Sequence, residues 1–330
     1  MIKWIMILTI PFVLLISCAQ GDPKGVKIDS ETEIENEEIR IEEKESTEKG
    51  EEDTEVKPTF IWVPEGSLYE AMVISNSDVT ITESSDPNSK IVDELSLGSH
   101  VFVMEEAENR TRIHSEDGVG WVHTTTITRI PYDSSKKQVV KNPQYLLVLV
   151  NKQYKLPSDY QPQNLVVPNV PFSFSGTPEK KYMTSEAAKA LEEMFAEGER
   201  NGVQLVAASG YRSFTTQQQL FTSYVLRDGY EIANQFSAFP GESEHQTGLA
   251  MDVTSREVNL DITRAFGETK EGKWIQEYAH NFGFIIRYSE ENEAITGYNY
   301  EPWHLRYVGK EVAQTIHEQN ITFDEYVEND

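Results

Sequence analysis

The sequence predicts an α+β domain, a small antiparallel sheet with flanking helices, preceded by a small all-β barrel. Three observations lead there. Residues 142–330 mix amphipathic helices with short strands and lack the regular strand–helix–strand alternation that a parallel sheet requires. Residues 63–131 break into short alternating runs separated by Asp-Pro-Asn, Leu-Gly-Ser and Asp-Gly turns, the pattern of a small all-β unit. Ahead of both the composition changes abruptly, with 15 acids against 6 bases in residues 19–57.

Taken in order, the chain opens on Met1, Lys3 and the apolar run "WIMILTIPFVLLISC", which reads as a secretory signal over residues 1–18. The run is short for a transmembrane helix and contains Pro11. It ends in Leu15-Ile16-Ser17-Cys18, and Cys18 is the single cysteine of the 330 residues, so an internal disulfide is excluded. That ending resembles the lipobox of bacterial lipoproteins. The resemblance implies a lipidated Cys18 as first mature residue and an extracytoplasmic protein anchored to the cell membrane through two acyl chains. An ordinary signal peptide with an incidental cysteine is the alternative. Residues 19–62 follow as an acidic, self-repelling tether with too little apolar surface to order itself. The formal net charge of −26 excludes a nucleic-acid partner, which would need clustered Lys and Arg.

Within 63–131, "ELSLGSHVFVM" and "DGVGWVH" resemble bacterial SH3-like domains. Such domains often bind cell-wall peptides, and a spacer without a ligand is the other reading. Thr82-Glu83-Ser84 departs from the family's arginine-serine-glycine run, which puts its ligand groove in doubt. His100, His114 and His123 sit singly among the strands and are not read as ligands. A polar linker, 132–141, leads to "QYLLVLVNKQYKLPSDYQP", expected as a buried strand and an extended segment. "TSEAAKALEEMFAEGERNG" predicts a helix capped by Thr184 or Ser185, with Ala188, Leu191, Met194 and Phe195 on one face and a stop at Gly198 to Gly202. "VQLVAASGYRS" is a strand running into a turn, and "TTQQQLFTSYVLRDG" a helix stopped by Gly229. "TGLAMDVTS" is a strand with Leu249, Met251 and Val253 on one face and Ala250 and Asp252 on the other. A further helix and strand, "GKWIQEYAHNFGFIIRY", precede a last strand, "YNYEPWHLRYVG", and a terminal helix.

Catalytic zinc sites usually take three His or carboxylate ligands and keep a fourth position for water. His245 and Asp252 stand close in sequence, and His304 follows about fifty residues on, with Glu301 just before it. Alone, this spacing also fits a histidine and an aspartate bonded to backbone near a turn. The full strings go further. "SGYRSFTTQQQLF", "PGESEHQTGLAMD", "FGFIIRY" and "TGYNYEPWHLRYVG", in that order, closely resemble the zinc D-alanyl-D-alanine carboxypeptidases of the VanY type, over roughly residues 142–328.

The resemblance implies one zinc ion held by His245, Asp252 and His304, with Glu301 as general base. It further implies that Arg212 clamps the substrate's terminal carboxylate, that Ser243 assists it, and that Gln217 contacts the peptide backbone. The blander readings make Glu301 a solvated acid, Arg212 a structural ion pair, and Ser243 and Gln217 turn and capping residues. His280 and His317 are read as a helix-end and a solvated histidine, and Trp303 as packing. The expected function is removal of the C-terminal D-alanine from peptidoglycan stem peptides. The alternatives are an L,D-carboxypeptidase acting on tetrapeptides, a non-catalytic wall-binding lipoprotein and a cross-bridge endopeptidase.

Overall fold

The computed structural model describes residues 59–60 and 63–329, which belong to one compact unit, Thr54–Asp330. The signal, Cys18 and nearly all of the acidic tether lie outside the described residues. Among the described residues, no helix is long and apolar enough to cross a membrane.

The first layer is a seven-stranded antiparallel sheet. Its strands are β1 (Tyr69–Val73), β2 (Val79–Thr82), β3 (Ile91–Leu95), β4 (His100–Glu106), β5 (Arg110–His114), β6 (Val119–His123) and β7 (Ile127–Arg129). They lie in the order β3-β2-β6-β5-β4-β1-β7. Alternation places Ala71, Val73, Ile81, Val101, Val103, Ile113 and Val122 in one core. Each Val and Ile among them contributes about 1.5–3 kcal/mol on leaving water.

Met72 points the other way and packs, with Ile130 and Tyr132, against Phe221, Val225, Ala233 and Phe239. The polar stretch after β7 is therefore more than a spacer. Tyr132 stacks on Phe239 at 3.9 Å and donates its hydroxyl to Glu242 at 2.9 Å. Lys137 Nζ reaches the same carboxylate at 2.9 Å, and Ser134 donates to Glu70 from both backbone and hydroxyl. His100, solitary in the sequence, completes this joint at 2.7 Å from Glu70.

The second layer follows the α+β expectation. Helix α1 (Ser185–Arg200) buries Ala187, Ala188, Leu191, Met194 and Phe195. Thr184 occupies its cap position without a side-chain cap bond. The helix runs through Gly198, which packs beside Leu205 and Trp274, and stops at Asn201 and Gly202. Strand β8 (Val206–Ser209) leads to α2 (Phe214–Asp228), capped by the Ser213 hydroxyl and ended at Gly229. A short helix not expected from the sequence, α3 (Tyr230–Phe236), follows. Next come β9 (Ala250–Thr254), α4 (Lys270–Tyr278), β10 (Phe284–Tyr288) and β11 (Glu301–Tyr307). Two helices close the chain where one was expected, α5 (Lys310–Gln319) and α6 (Phe323–Asn329).

Strands β8-β9-β11-β10 form an antiparallel sheet in that order. One face carries Leu249, Met251, Val253, Leu305 and Tyr307 into a core shared with α1 and α4, as the alternation predicts. Trp303 packs against this core. The segment expected as a buried strand, Leu146 to Val150, is buried only in part and forms no strand. The carbonyls of Leu146 and Val148 accept instead from the Arg306 guanidinium, each at 2.9 Å.

Candidate metal centre

Two adjacent strands bring the distant motifs together. In the register of β9 and β11, Asp252 lies directly opposite His304. Cross-strand partners sit within side-chain reach, so fifty residues of separation close without a long loop at the site. His245 arrives from the tight turn Glu244–Thr247 that feeds β9. That turn ends at Gly248 with φ +68, a left-handed conformation, and a Cβ there would crowd Leu165 and Pro162.

The donor atoms of His245, Asp252 and His304 all lie within 4.8 Å of one another, and all three residues are buried. His245 Nε2 is 3.4 Å from Asp252 Oδ2, and His304 Nδ1 is 3.1 Å from Asp252 Oδ1. Ligand atoms around a tetrahedral zinc, each about 2.0–2.1 Å from it, lie about 3.3 Å apart, so this donor set fits the metal. The far side of each ring is also set. His245 Nδ1 donates to the Gly210 carbonyl at 2.7 Å, which leaves Nε2 as the ligating atom. A side chain at Gly210 would strike the Tyr182 carbonyl and Met251. His304 Nε2 faces Glu244 at 3.2 Å, which leaves Nδ1 toward the site.

The electrostatics agree with a centre that needs a cation. Burial disfavours the Asp252 carboxylate, but His245 and His304 overcome this and hold its pKa well below the usual range. Burial likewise opposes the His304 cation, and its bonds to Asp252 and Glu244 prevail, raising the pKa to about 9. The same burial lowers the pKa of His245. Glu301, at the start of β11, has its carboxylate 3.9 Å from His304 Nδ1. Burial, with Asp252 adding repulsion, pushes its pKa up to about 8 although His304 opposes the shift. Glu301 is buried rather than solvated, and a buried carboxyl shifted this way is a candidate proton-transfer group.

Arg212 leaves the end of β8 toward the same acids. Its Nη1 donates to Gln217 Oε1 at 2.7 Å and its Nη2 to Ser209 Oγ at 3.2 Å. Gln217 is 1% exposed, and its amide nitrogen donates to the Ala238 carbonyl at 2.6 Å, so it orients the guanidinium. Ser243 is buried at the start of the His245 turn. Glu242 and Glu244 flank it, both 1% exposed, and neither was singled out in the sequence. The available signal was two acids inside a run of otherwise small and motif residues. Histidines 280 and 317 lie away from this centre and stack on each other at 3.7 Å.

The sequence model of VanY, D-alanyl-D-alanine carboxypeptidase, matches residues 180–310. The putative carboxypeptidase YodJ of Bacillus subtilis is 49% identical over 191 residues, 58% of this chain and 70% of that protein. The bifunctional D-Ala-D-Ala dipeptidase and D-Ala-D-Ala carboxypeptidase VanXYC of Enterococcus gallinarum is 37% identical over 183 residues, covering 54% of this chain and 92% of its own. A solved structure of the LD-carboxypeptidase LdcB is 49% identical with a TM-score of 0.57, covering 58% of this chain and 90% of that one.

Proposed function

The chain belongs to the VanY-type D-alanyl-D-alanine carboxypeptidase family, and from that premise we propose that it is a zinc carboxypeptidase removing the terminal D-alanine from peptidoglycan stem peptides. The observation that carries the reading is the convergence of His245, Asp252 and His304 donors within 4.8 Å, with the Glu301 carboxylate 3.9 Å from His304. His245 through Nε2, His304 through Nδ1 and the Asp252 carboxylate would hold the metal. Bound there, zinc supplies a Lewis acid for the scissile carbonyl and a water of lowered pKa.

The remaining work belongs to side chains of this chain. Arg212, oriented by Gln217 and Ser209, receives the free terminal carboxylate with a two-pronged hydrogen bond. Ser243, buried at the start of the turn that carries His245, would assist that binding. Glu301 takes the proton of the attacking water and returns it to the departing amine of D-alanine, so its charge is restored at the end of the cycle. A neighbouring dication favours the ionised carboxylate and so lowers the pKa of about 8 that burial alone produces.

Two bonds release the same amino acid: the D,D bond of a pentapeptide and the L,D bond of a tetrapeptide. The family model and VanXYC favour the first. The 49% identity to LdcB, against 37% to VanXYC, favours the second, and we take the tetrapeptide as the preferred substrate. Lipidation of Cys18 would hold the enzyme at the outer face of the membrane, and we read the seven-stranded sheet as SH3-like. A test is zinc stoichiometry with chelator reversal. Wild-type protein should hold one zinc per chain, lose D-alanine release on chelation and regain it with zinc, while His304→Ala should hold none. Full zinc occupancy in His304→Ala would remove this residue from the site.

A further inference from the structure

Glu244 has no role in the reading above, yet its carboxylate is buried among charged groups and touches a proposed ligand. Its two oxygens are divided. Oε1 accepts from Arg287 Nε at 2.9 Å and from Arg306 Nη1 at 2.8 Å. Oε2 faces His304 Nε2 at 3.2 Å. The two guanidiniums are themselves anchored. Arg306 is bound to the carbonyls of Leu146 and Val148, and Arg287 Nη1 donates to Asp324 Oδ2 at 2.6 Å. Asp324, on α6, also accepts from Asn151 at 2.8 Å. Two acids and two arginines sum to zero charge, so the cluster satisfies the requirement that buried ions be paired.

Charge balance alone would explain four buried ions. It would not explain why one oxygen of Glu244 is turned to an imidazole while both guanidiniums share the other. A neutral imidazole has one donor nitrogen and one acceptor nitrogen. Carboxylates, which can only accept, face both nitrogens, Glu244 at Nε2 and Asp252 at Nδ1; a metal ion bound between Nδ1 and Asp252 would take the place of the Nδ1 proton, while Glu244 keeps the proton on Nε2. Arg287 and Arg306 fix the carboxylate from behind, so the ring cannot flip without breaking this contact.

We propose that Glu244 is a positioning residue for the metal centre, fixing the tautomer and ring orientation of His304 so that Nδ1 is presented to zinc. The arginine pair and Asp324 extend that support to β10, β11 and the last helix. This rests on the zinc reading, and its test separates the two. Side-chain nitrogen NMR of the zinc-loaded wild-type protein should show His304 metallated at Nδ1 and protonated at Nε2. The reverse assignment overturns the proposal while leaving the zinc enzyme intact, whereas absence of any zinc binding overturns the reading beneath it.

Glu244→Gln keeps the shape and removes the charge. Its zinc dissociation constant, measured by chelator competition, should rise about 10–100-fold. Turnover should return at saturating zinc, which a loss of the general base would not allow. An unchanged dissociation constant refutes the proposal. The wild-type spectrum decides the question without the variant, should the unpaired arginines prevent that variant from folding.

Discussion

Replacing Arg212 by lysine keeps the positive charge and removes the planar fork. In the structure, Gln217 and Ser209 engage one N–H on each terminal nitrogen, which fixes the plane of the guanidinium. A carboxylate meeting that plane receives two parallel charge-assisted bonds, whereas an ammonium offers it a single point contact. One charge-assisted bond contributes about 1.5–3 kcal/mol, so its loss should lower kcat/KM by about 10- to 150-fold. The assay compares a stem peptide ending in a free acid with the same peptide ending in an amide. Wild-type enzyme should discriminate strongly between them, and Arg212→Lys should lose activity on the acid far more than on the amide. Equal losses on both would refute the assignment, because a residue that only supports the fold cannot distinguish the two termini.

Glu301→Gln should retain zinc and fold normally but lose about 10²–10⁴ in kcat, as measured by D-alanine release beside metal analysis. Retained turnover would assign the base elsewhere. Tyr132→Ala removes a ring stacked on Phe239 and a hydroxyl bound to Glu242, and should destabilise the protein by about 3–5 kcal/mol in denaturant titration. A change under about 1 kcal/mol would mean that the stretch after β7 is a spacer after all. His280 has its pKa lowered by burial and by His317 stacked against it. Its folded pKa lies below the unfolded value of about 6.5. The unfolded chain therefore binds more protons in the window between them, and stability falls as pH drops through it. Thermal unfolding of His280→Asn should show a shallower loss from about pH 7 to about pH 5, and an unaltered slope would exclude this pair as the source.

The candidate triad was legible because His245 and Asp252 share one motif string and His304 sits in a second, "TGYNYEPWHLRYVG". Alternation put Asp252 opposite the Leu249-Met251-Val253 face, and the sheet places it there. The pairing of Asp252 with His304 was not legible from spacing, since the register of two adjacent strands is a tertiary property set by which faces the core buries. The segment from Leu146 misled for a definite reason. Its apolar residues read as a strand, but a buried guanidinium from β11 takes its carbonyls in place of a neighbouring strand. Helix α3 escaped notice because seven residues behind Gly229 carry little periodicity. Glu244 was hidden for another reason. An acid in an acidic sequence looks like surface until Arg287 and Arg306, some forty and sixty residues later, are seen to surround it.

The most direct test of the account is product analysis with defined stems. The chain from about residue 58 onward, loaded with zinc, is incubated with tri-, tetra- and pentapeptide stems, and the released amino acid is identified by chiral chromatography and mass spectrometry. The account predicts free D-alanine from the tetrapeptide at the higher rate, slower release from the pentapeptide, and none from the tripeptide. If neither the tetrapeptide nor the pentapeptide loses its terminal D-alanine, the carboxypeptidase assignment is contradicted.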